Sequence, residues 1–436
     1  MTLLVISPDY ASHLLPLATL ATAWQDAGDR VVVASGPATQ PITAEFGFER
    51  VDLRLGRGSN PGVIRAEKQV AGEDDALRGF FAATERGMVE TLLYQANARS
   101  ADLLWDPVNT ANRVLAVVDA VRPDHIIVDH LAFSARLALL AGGIGHAGVV
   151  LGHPSALPVG HEVYGYPPVW PAAFDPDRAQ LAALLRRCRE VRDGFTAEWN
   201  TALKSLAPQA EPTADAFTEH ADLLLLNYPA VLHDSARTAL LPPHAFLGSA
   251  VRRQGTPDDI ARWLDAEPAV PVVYVSFGSF LSVRADVLAR VAAALRSLPV
   301  RVALALGSAD PAVIGDLPAG WLVGEFLPQV ALVERSSLVI THGGNNSVTE
   351  SLTAGVPMLV LPFSTDQFTG AAAIEDAGLG AVLDPNTATA GELRSAIESL
   401  LGGESVRIAA DLGSALRDKP GRQLAFEAMT GGSRTG

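Results

Sequence analysis

Cysteine is nearly absent. Cys188 is the single one in 436 residues, which excludes a disulfide framework and any multi-cysteine zinc or iron–sulfur site. Basic charge is also in deficit: 33 lysines and arginines face 48 aspartates and glutamates, a formal charge of −15. Nucleic acid is therefore not an expected partner, because binding it requires a clustered basic surface. An anionic ligand would have to be held by local dipoles. Long apolar runs are missing as well. Leu3–Ile6 is cut off by Ser7, Pro8 and Asp9 with no basic stretch before it, and nothing approaches the roughly 18 apolar residues of a membrane span. These absences predict a cytoplasmic protein with no integral membrane segment. With 48% apolar and 19% charged residues the chain is neither disordered nor a coiled coil. At roughly 100–200 residues per domain, its length predicts two or three domains.

What the sequence does contain is an alternation. Short apolar runs at Leu3–Ile6, Arg30–Ala34, His125–Val128, Gly148–Leu151 and Asp222–Leu226 read as buried strands. Helical periodicity lies between them, as in Pro16–Ala27, closed by Gly28. Strand, helix, strand in this order implies parallel pairing with right-handed crossovers. The pattern restarts with strands at Pro271–Ser276, Arg301–Leu306, Leu338–Thr341 and Met358–Leu361, and a helix over Arg284–Ser297. Between the two series, Leu241–Asp259 carries Pro242, Pro243, Gly248, Gly255 and Pro257, the composition of a linker. The expected architecture is α/β: two doubly wound Rossmann-like domains facing across a cleft, at 1–241 and 260–436, joined by 242–259. Such sheets bind ligands at the carboxyl ends of their strands. Two segments fit the alternation poorly. Arg54–Asp106 has turns at Gly56, Gly58 and Gly72 and then helical pattern, and Pro154–Phe174 carries five prolines. Irregular segments on a rigid scaffold are expected to shape a binding pocket. The tail Gly431–Gly436 reads as disordered.

The richest stretch is Phe326 to Gln367. A strand ending at Thr341 is followed by His342-Gly343-Gly344-Asn345-Asn346-Ser347 and then a helix. Glycines let the backbone approach a ligand, and free amides at a helix start favour an anion. His342, Asn346 and Ser347 can donate to phosphate oxygens, and Glu350, one turn on, can accept from a pair of ribose hydroxyls. Asp366 and Gln367 follow the next strand, placed to meet sugar hydroxyls. By the same logic Ser276-Phe277-Gly278-Ser279 forms a second amide-rich turn, in which Gly278 and Ser279 are donor-site candidates.

This block resembles the signature of the nucleotide-sugar-dependent glycosyltransferases of the GT-B fold, glycosyltransferase family one, which includes bacterial macrolide glycosyltransferases. The matching residues are Pro328-Gln329, Thr341-His342, Gly344, Ser347, Glu350, Gly355-Val356-Pro357-Met358 and Asp366-Gln367. The family's usual tryptophan, which stacks on the pyrimidine base, is Phe326 here, a smaller platform. The resemblance also implies a general base in the first strand-to-helix loop, where Ser12-His13-Leu14-Leu15-Pro16-Leu17 fits, with Ser12 replacing the usual glycine. Imidazole titrates near 6.5 and can take a hydroxyl's proton as the new bond forms. An aspartate ending another first-half strand would hold that imidazole, and Asp129 occupies this place, with the adjacent His130 as a competing base. The resemblance thus implies an inverting glycosyltransferase that moves a sugar from a UDP- or TDP-sugar to a hydroxyl of a small, largely apolar natural product. It needs no metal and no cofactor beyond that co-substrate. Tyr164, Tyr166, Trp170 and Phe174 suit such an acceptor. A sugar-nucleotide epimerase or hydrolase, or a non-catalytic nucleotide-sugar-binding partner, are the other readings.

Other signals carry less. Gly143-Ile144-Gly145-His146-Ala147-Gly148 matches a dinucleotide fingerprint as text, but it follows a helical stretch and precedes a strand, the reverse of the required order. Asp175-Pro176-Asp177 reads as a solvated turn rather than a metal site. Asn345-Asn346-Ser347 spells a glycosylation sequon that a cytoplasmic chain would never use.

Overall fold

The computed structural model describes residues 1–60, 73–364 and 366–431. Gly72, the tail beyond Gly431 and the side chain of Ser279 fall outside the described residues.

Among the described residues thirteen strands form two sheets. The first contains β1 (Thr2–Ile6), β2 (Arg30–Ser35), β3 (Glu49–Asp52), β4 (His125–Asp129), β5 (Ala147–Val150), β6 (Leu223–Leu226) and β7 (His244–Phe246). The second contains β8 (Val272–Ser276), β9 (Arg301–Ala305), β10 (Leu322–Gly324), β11 (Leu338–Thr341), β12 (Met358–Val360) and β13 (Gly380–Val382). The strand orders are β3-β2-β1-β4-β5-β6-β7 and β10-β9-β8-β11-β12-β13, and neighbouring strands in both sheets run parallel. Helices cover both faces, so the central strands are apolar throughout: Leu3, Leu4, Val5 and Ile6 are all fully buried.

The order of each sheet reverses once, between β1 and β4 in the first and between β8 and β11 in the second. Neighbouring crossovers leave in opposite directions at such a point, which opens a crevice at the strands' carboxyl ends.

Several expectations needed correction. The helix after β1 runs Ala11–Asp26, starting five residues ahead of Pro16 and enclosing it. The stretch expected to be only linker contains β7, which pairs with β6 at the sheet edge. The outer strands β3, β10 and β13 escaped notice because they are short and polar or half-buried. The last helix, Gly421–Thr430, returns to the first half, where Phe426 meets the buried Trp24 edge-on at 5.1 Å. Arg422 pairs there with Asp26.

The aromatic residues expected to line an acceptor pocket are partly spent on packing. Tyr164 stacks on Phe217 at 3.9 Å, and Trp170 and Phe174 both lie against Phe368 of the second half. Tyr164 thus packs within the first half, while Trp170 and Phe174, tilted and edge-on to Phe368, fasten one lobe to the other. The helix Glu73–Arg86 adds to this: Phe80 enters the second half's core, and Arg284 and Asn386 both donate to the Thr84 carbonyl.

Candidate active site

His13 and Asp129 meet at the first reversal point. Asp129 ends β4, His13 lies in the first turn of the helix after β1, and adjacency of β1 and β4 brings them together across 116 residues of sequence. His13 Nδ1 lies 2.7 Å from Asp129 Oδ2. The carboxylate is fully buried and its other oxygen accepts from the Leu131 amide at 2.8 Å. An ionised carboxylate only accepts, so His13 donates through Nδ1 and Nε2 is left bare. Burial works to lower the His13 pKa. The Asp129 charge and hydrogen bond, with the more distant Asp366 charge, outweigh it and raise the pKa above 6.5. Asp129 is the converse: burial raises it, but His13, its hydrogen bond, His130 and the Leu131 amide pull it below 3.8.

The competing base is ruled out by its surroundings. His130 Nδ1 accepts from the Leu151 amide, and burial brings its pKa down to about 4. It is neutral at physiological pH, with its Nδ1 lone pair engaged.

The second reversal point carries the amide-rich turns. The helix Asn345–Ala354 begins beyond Gly344 with no side chain capping its first amides, so these N–H groups and the helix dipole are open to an anion. His342 lies beside them, folded between two glycines. A methyl at Gly344 would overlap His342 Nε2, and one at Gly278 would sit 2.9 Å from His342 Cε1, at a backbone φ of +68° that other residues rarely adopt. Burial lowers the His342 pKa to about 4, and Nδ1 is buried with no hydrogen-bond partner. The imidazole is thus neutral and has one N–H to give.

Other predicted residues fall into place around this turn. Gln329 Nε2 donates to Glu350 Oε2 at 2.7 Å and lies 3.5 Å from Ser347 Oγ. Gln367 Oε1 accepts from the amides of Phe363 and Ser364, so it shapes the loop after β12. Asp366 Oδ2 accepts from the His153 amide of the first half at 2.7 Å. Phe326 stands 68% exposed just before Pro328 and Gln329, as a platform does.

Asn346 ties the two centres together. Its Nδ2 donates to the Ser12 carbonyl, next to His13, at 3.2 Å. That carbonyl would ordinarily accept from the amide four residues on, but residue 16 is proline and has none. Pro16 therefore frees the acceptor on which the second half docks. Asn345 and Asn227 extend the contact: Asn227 Nδ2 donates to Asn345 Oδ1, and Asn345 Nδ2 to Asn346 Oδ1.

Sequence reasoning missed Arg252. It lies in the connecting segment and pairs with Glu350 Oε1 at 2.9 Å. Nothing marked it, because a lone arginine among prolines and glycines reads as linker. The signals set aside stay aside. Asp177 caps the helix Arg178–Leu206, accepting from the Ala179 and Gln180 amides. Gly142 and Gly143 end the helix Phe133–Ala141 before β5 begins.

Solved structures share this fold over the whole chain. Spinosyn forosaminyltransferase SpnP aligns over 100% of both chains with a TM-score of 0.68 at 19% identity. The glycosyltransferase VinC, in complex with DTDP, covers 99% of each with a TM-score of 0.66, also at 19% identity. At these identities the likeness shows the fold, that of GT-B enzymes. Among curated sequences, the NDP-glycosyltransferase YjiC of Bacillus licheniformis is 34% identical over 128 residues, 29% of this chain and 32% of that protein. The 2-hydroxyacylsphingosine 1-beta-galactosyltransferase of Rattus norvegicus is 30% identical over 190 residues, 42% of this chain and 35% of that protein. The chain thus spans about a third of the length of these relatives. The family profile described as UDP-glucoronosyl and UDP-glucosyl transferase matches residues 188–426, more than half of the 436, and the chain belongs to that family.

Proposed function

We propose that the protein is an inverting glycosyltransferase that moves a sugar from a nucleoside diphosphate sugar to a hydroxyl of a small, largely apolar acceptor. The carrying observation is the pair of His13 and Asp129, joined at 2.7 Å and tied through Asn346 to an uncapped helix start. His13 Nε2 takes the acceptor proton while Asp129 steadies the imidazolium. The acceptor oxygen attacks the anomeric carbon from the face opposite the diphosphate. The bond from that carbon to the β-phosphate oxygen breaks, and its electron pair leaves with the phosphate. The open amides after Gly344 and the His342 N–H receive this charge, and preorganised donors of this kind are worth about 3–4 kcal/mol each.

Asp366 and Gln367 are assigned to the sugar hydroxyls, Phe326 to the base, and Glu350, with Gln329 behind it, to the ribose. Gly278, Gly344, Asn346 and Ser347 frame the diphosphate, and Ser279 is assigned to the same turn as Gly278. The natural-product class of the acceptor is supported by neighbours such as the spinosyn forosaminyltransferase.

The test is product formation from a panel of UDP- and TDP-sugars with hydroxylated aglycones, using wild type and His13→Ala. Turnover is expected to fall by about 10²–10⁴ with donor affinity nearly unchanged. Equal turnover removes His13 from the mechanism. Free sugar or epimer formed without acceptor would indicate a hydrolase or epimerase instead.

A further inference from the structure

The connecting segment does more than join the sheets, because it runs along the helix Asn345–Ala354. Ser249 Oγ meets Thr353 Oγ1 at 2.5 Å, Arg252 Nη1 meets Glu350 Oε1 at 2.9 Å, and Gln254 Oε1 accepts from the Val330 amide at 3.1 Å. Glu350 and Thr353 are three residues apart and share a helix face. Arg252 is thus held between two anchors and aimed at a carboxylate only 4% exposed.

We propose that Arg252 is a positioning residue of the nucleoside site, fixing the Glu350 carboxylate as a double acceptor for the ribose hydroxyls of the donor. The proposal rests on the reading of residues 342–350 as the donor site. A carboxylate offers about four lone-pair positions, two on each oxygen. Arg252 takes one on Oε1 and Gln329 takes one on Oε2. One position per oxygen remains, a pair of acceptors that a vicinal diol can use. A buried ion pair is weak support for stability, so a role in binding accounts better for this arginine than one in folding.

Burial and three neighbouring groups, Arg252, Gln329 and Glu334, govern the protonation of Glu350. Burial raises it above 4.5, the Arg252 charge and the Gln329 and Arg252 hydrogen bonds oppose this, and Glu334 on the helix Gln329–Val333 side adds to the rise. Tyr274 of β8 faces the cluster through its hydroxyl, which lies 3.2 Å from Gln329 Oε1. Removing the arginine leaves burial and Glu334 less opposed. Glu350 would then take up a proton at higher pH, and a protonated carboxyl loses its acceptor pair.

Calorimetric binding of UDP and TDP to the full chain tests this, using whichever binds wild type more tightly, from about pH 5.5 to 8, the range spanning a raised carboxyl pKa. Arg252→Met is expected to weaken binding about tenfold or more at neutral pH, the loss of a charge-assisted contact. Its affinity should rise with pH more steeply than that of wild type, and Arg252→Lys should recover part of the loss. In a Glu350→Gln background, which has no carboxylate to position, Arg252→Met should change affinity less than about twofold. Should Arg252→Met fail to fold, Arg252→Gln carries the same test. An unshifted pH profile, or equal losses in both backgrounds, overturns the proposal. If wild type binds neither nucleotide, the donor-site reading itself fails. If Glu350→Gln weakens binding and Arg252→Met does not, only the role of Arg252 fails.

Discussion

Asp129→Asn keeps the shape of the site and removes one charge. The Leu131 amide, 2.8 Å from Asp129 Oδ1, still has an oxygen to bond. The new NH₂ then faces His13 Nδ1 at the former 2.7 Å contact. A donor there requires Nδ1 to accept, which moves the imidazole proton to Nε2, the atom that must take the acceptor's proton. The charge that steadies the imidazolium is lost as well. Together these should cost about 10²–10⁴ in turnover, or about 2.7–5.5 kcal/mol at 1.36 kcal/mol per decade. The pH dependence moves too. In wild type Asp129 holds the His13 pKa above 6.5, so the acid limb of turnover lies above that value. Without the carboxylate, burial dominates and the limb moves below 6.5. The assay is product formation under saturating donor and acceptor from about pH 5 to 9, the range that brackets histidine titration, with nucleotide affinity as the control. Turnover near wild type, or an acid limb that stays in place, would refute the reasoning.

Three further outcomes follow from the same contacts. Gly344→Ala forces His342 out of its slot, and nucleoside diphosphate affinity measured by calorimetry should drop by about tenfold or more while the melting temperature changes little. Gly152→Ala places a methyl 2.5 Å from Asp366 Oδ2, so the carboxylate must leave its bond to the His153 amide and the KM for donor should rise, with inhibition by free nucleotide weakened in parallel. The stability contribution of the His13–Asp129 pair depends on pH. His13 is raised from 6.5, so its share is complete below 6.5 and is lost as pH rises through the folded value; Asp129 is lowered from 3.8, so its share is complete above 3.8 and is lost as pH falls through the folded value. The melting-temperature difference between wild type and His13→Ala should therefore be larger near pH 6 than near pH 9, and an unchanged difference would show that the pair does not titrate this way.

Much of the site was legible in the residues. His342 through Glu350, Asp366 and Gln367 lie in one continuous block after a strand, where spacing along the chain sets spacing in the turn. Gly278 and Gly344 could be read as glycines for close approach, but the group approaching them proved to be the His342 ring. The aromatics of residues 164–174 were legible as rings, but that Tyr164, Trp170 and Phe174 also pack on other rings was not, because sequence does not say which face of a ring finds a partner.

The alternation of apolar runs and helical periods was enough by itself to determine two parallel α/β sheets, because a strand buried on both faces must be apolar throughout. The motif after Thr341 likewise determined a glycine turn leading into an uncapped helix start, since its glycines and helix start are neighbours in the chain. The pairing of His13 with Asp129 was expected only through the family resemblance, while the docking of Asn346 on the carbonyl freed by Pro16, the clamp of Arg252 on Glu350 and the return of the last helix to Trp24 were decided by tertiary structure alone. Each joins residues about 100 or more apart in sequence, at distances fixed by strand order and lobe packing, and no local pattern encodes them.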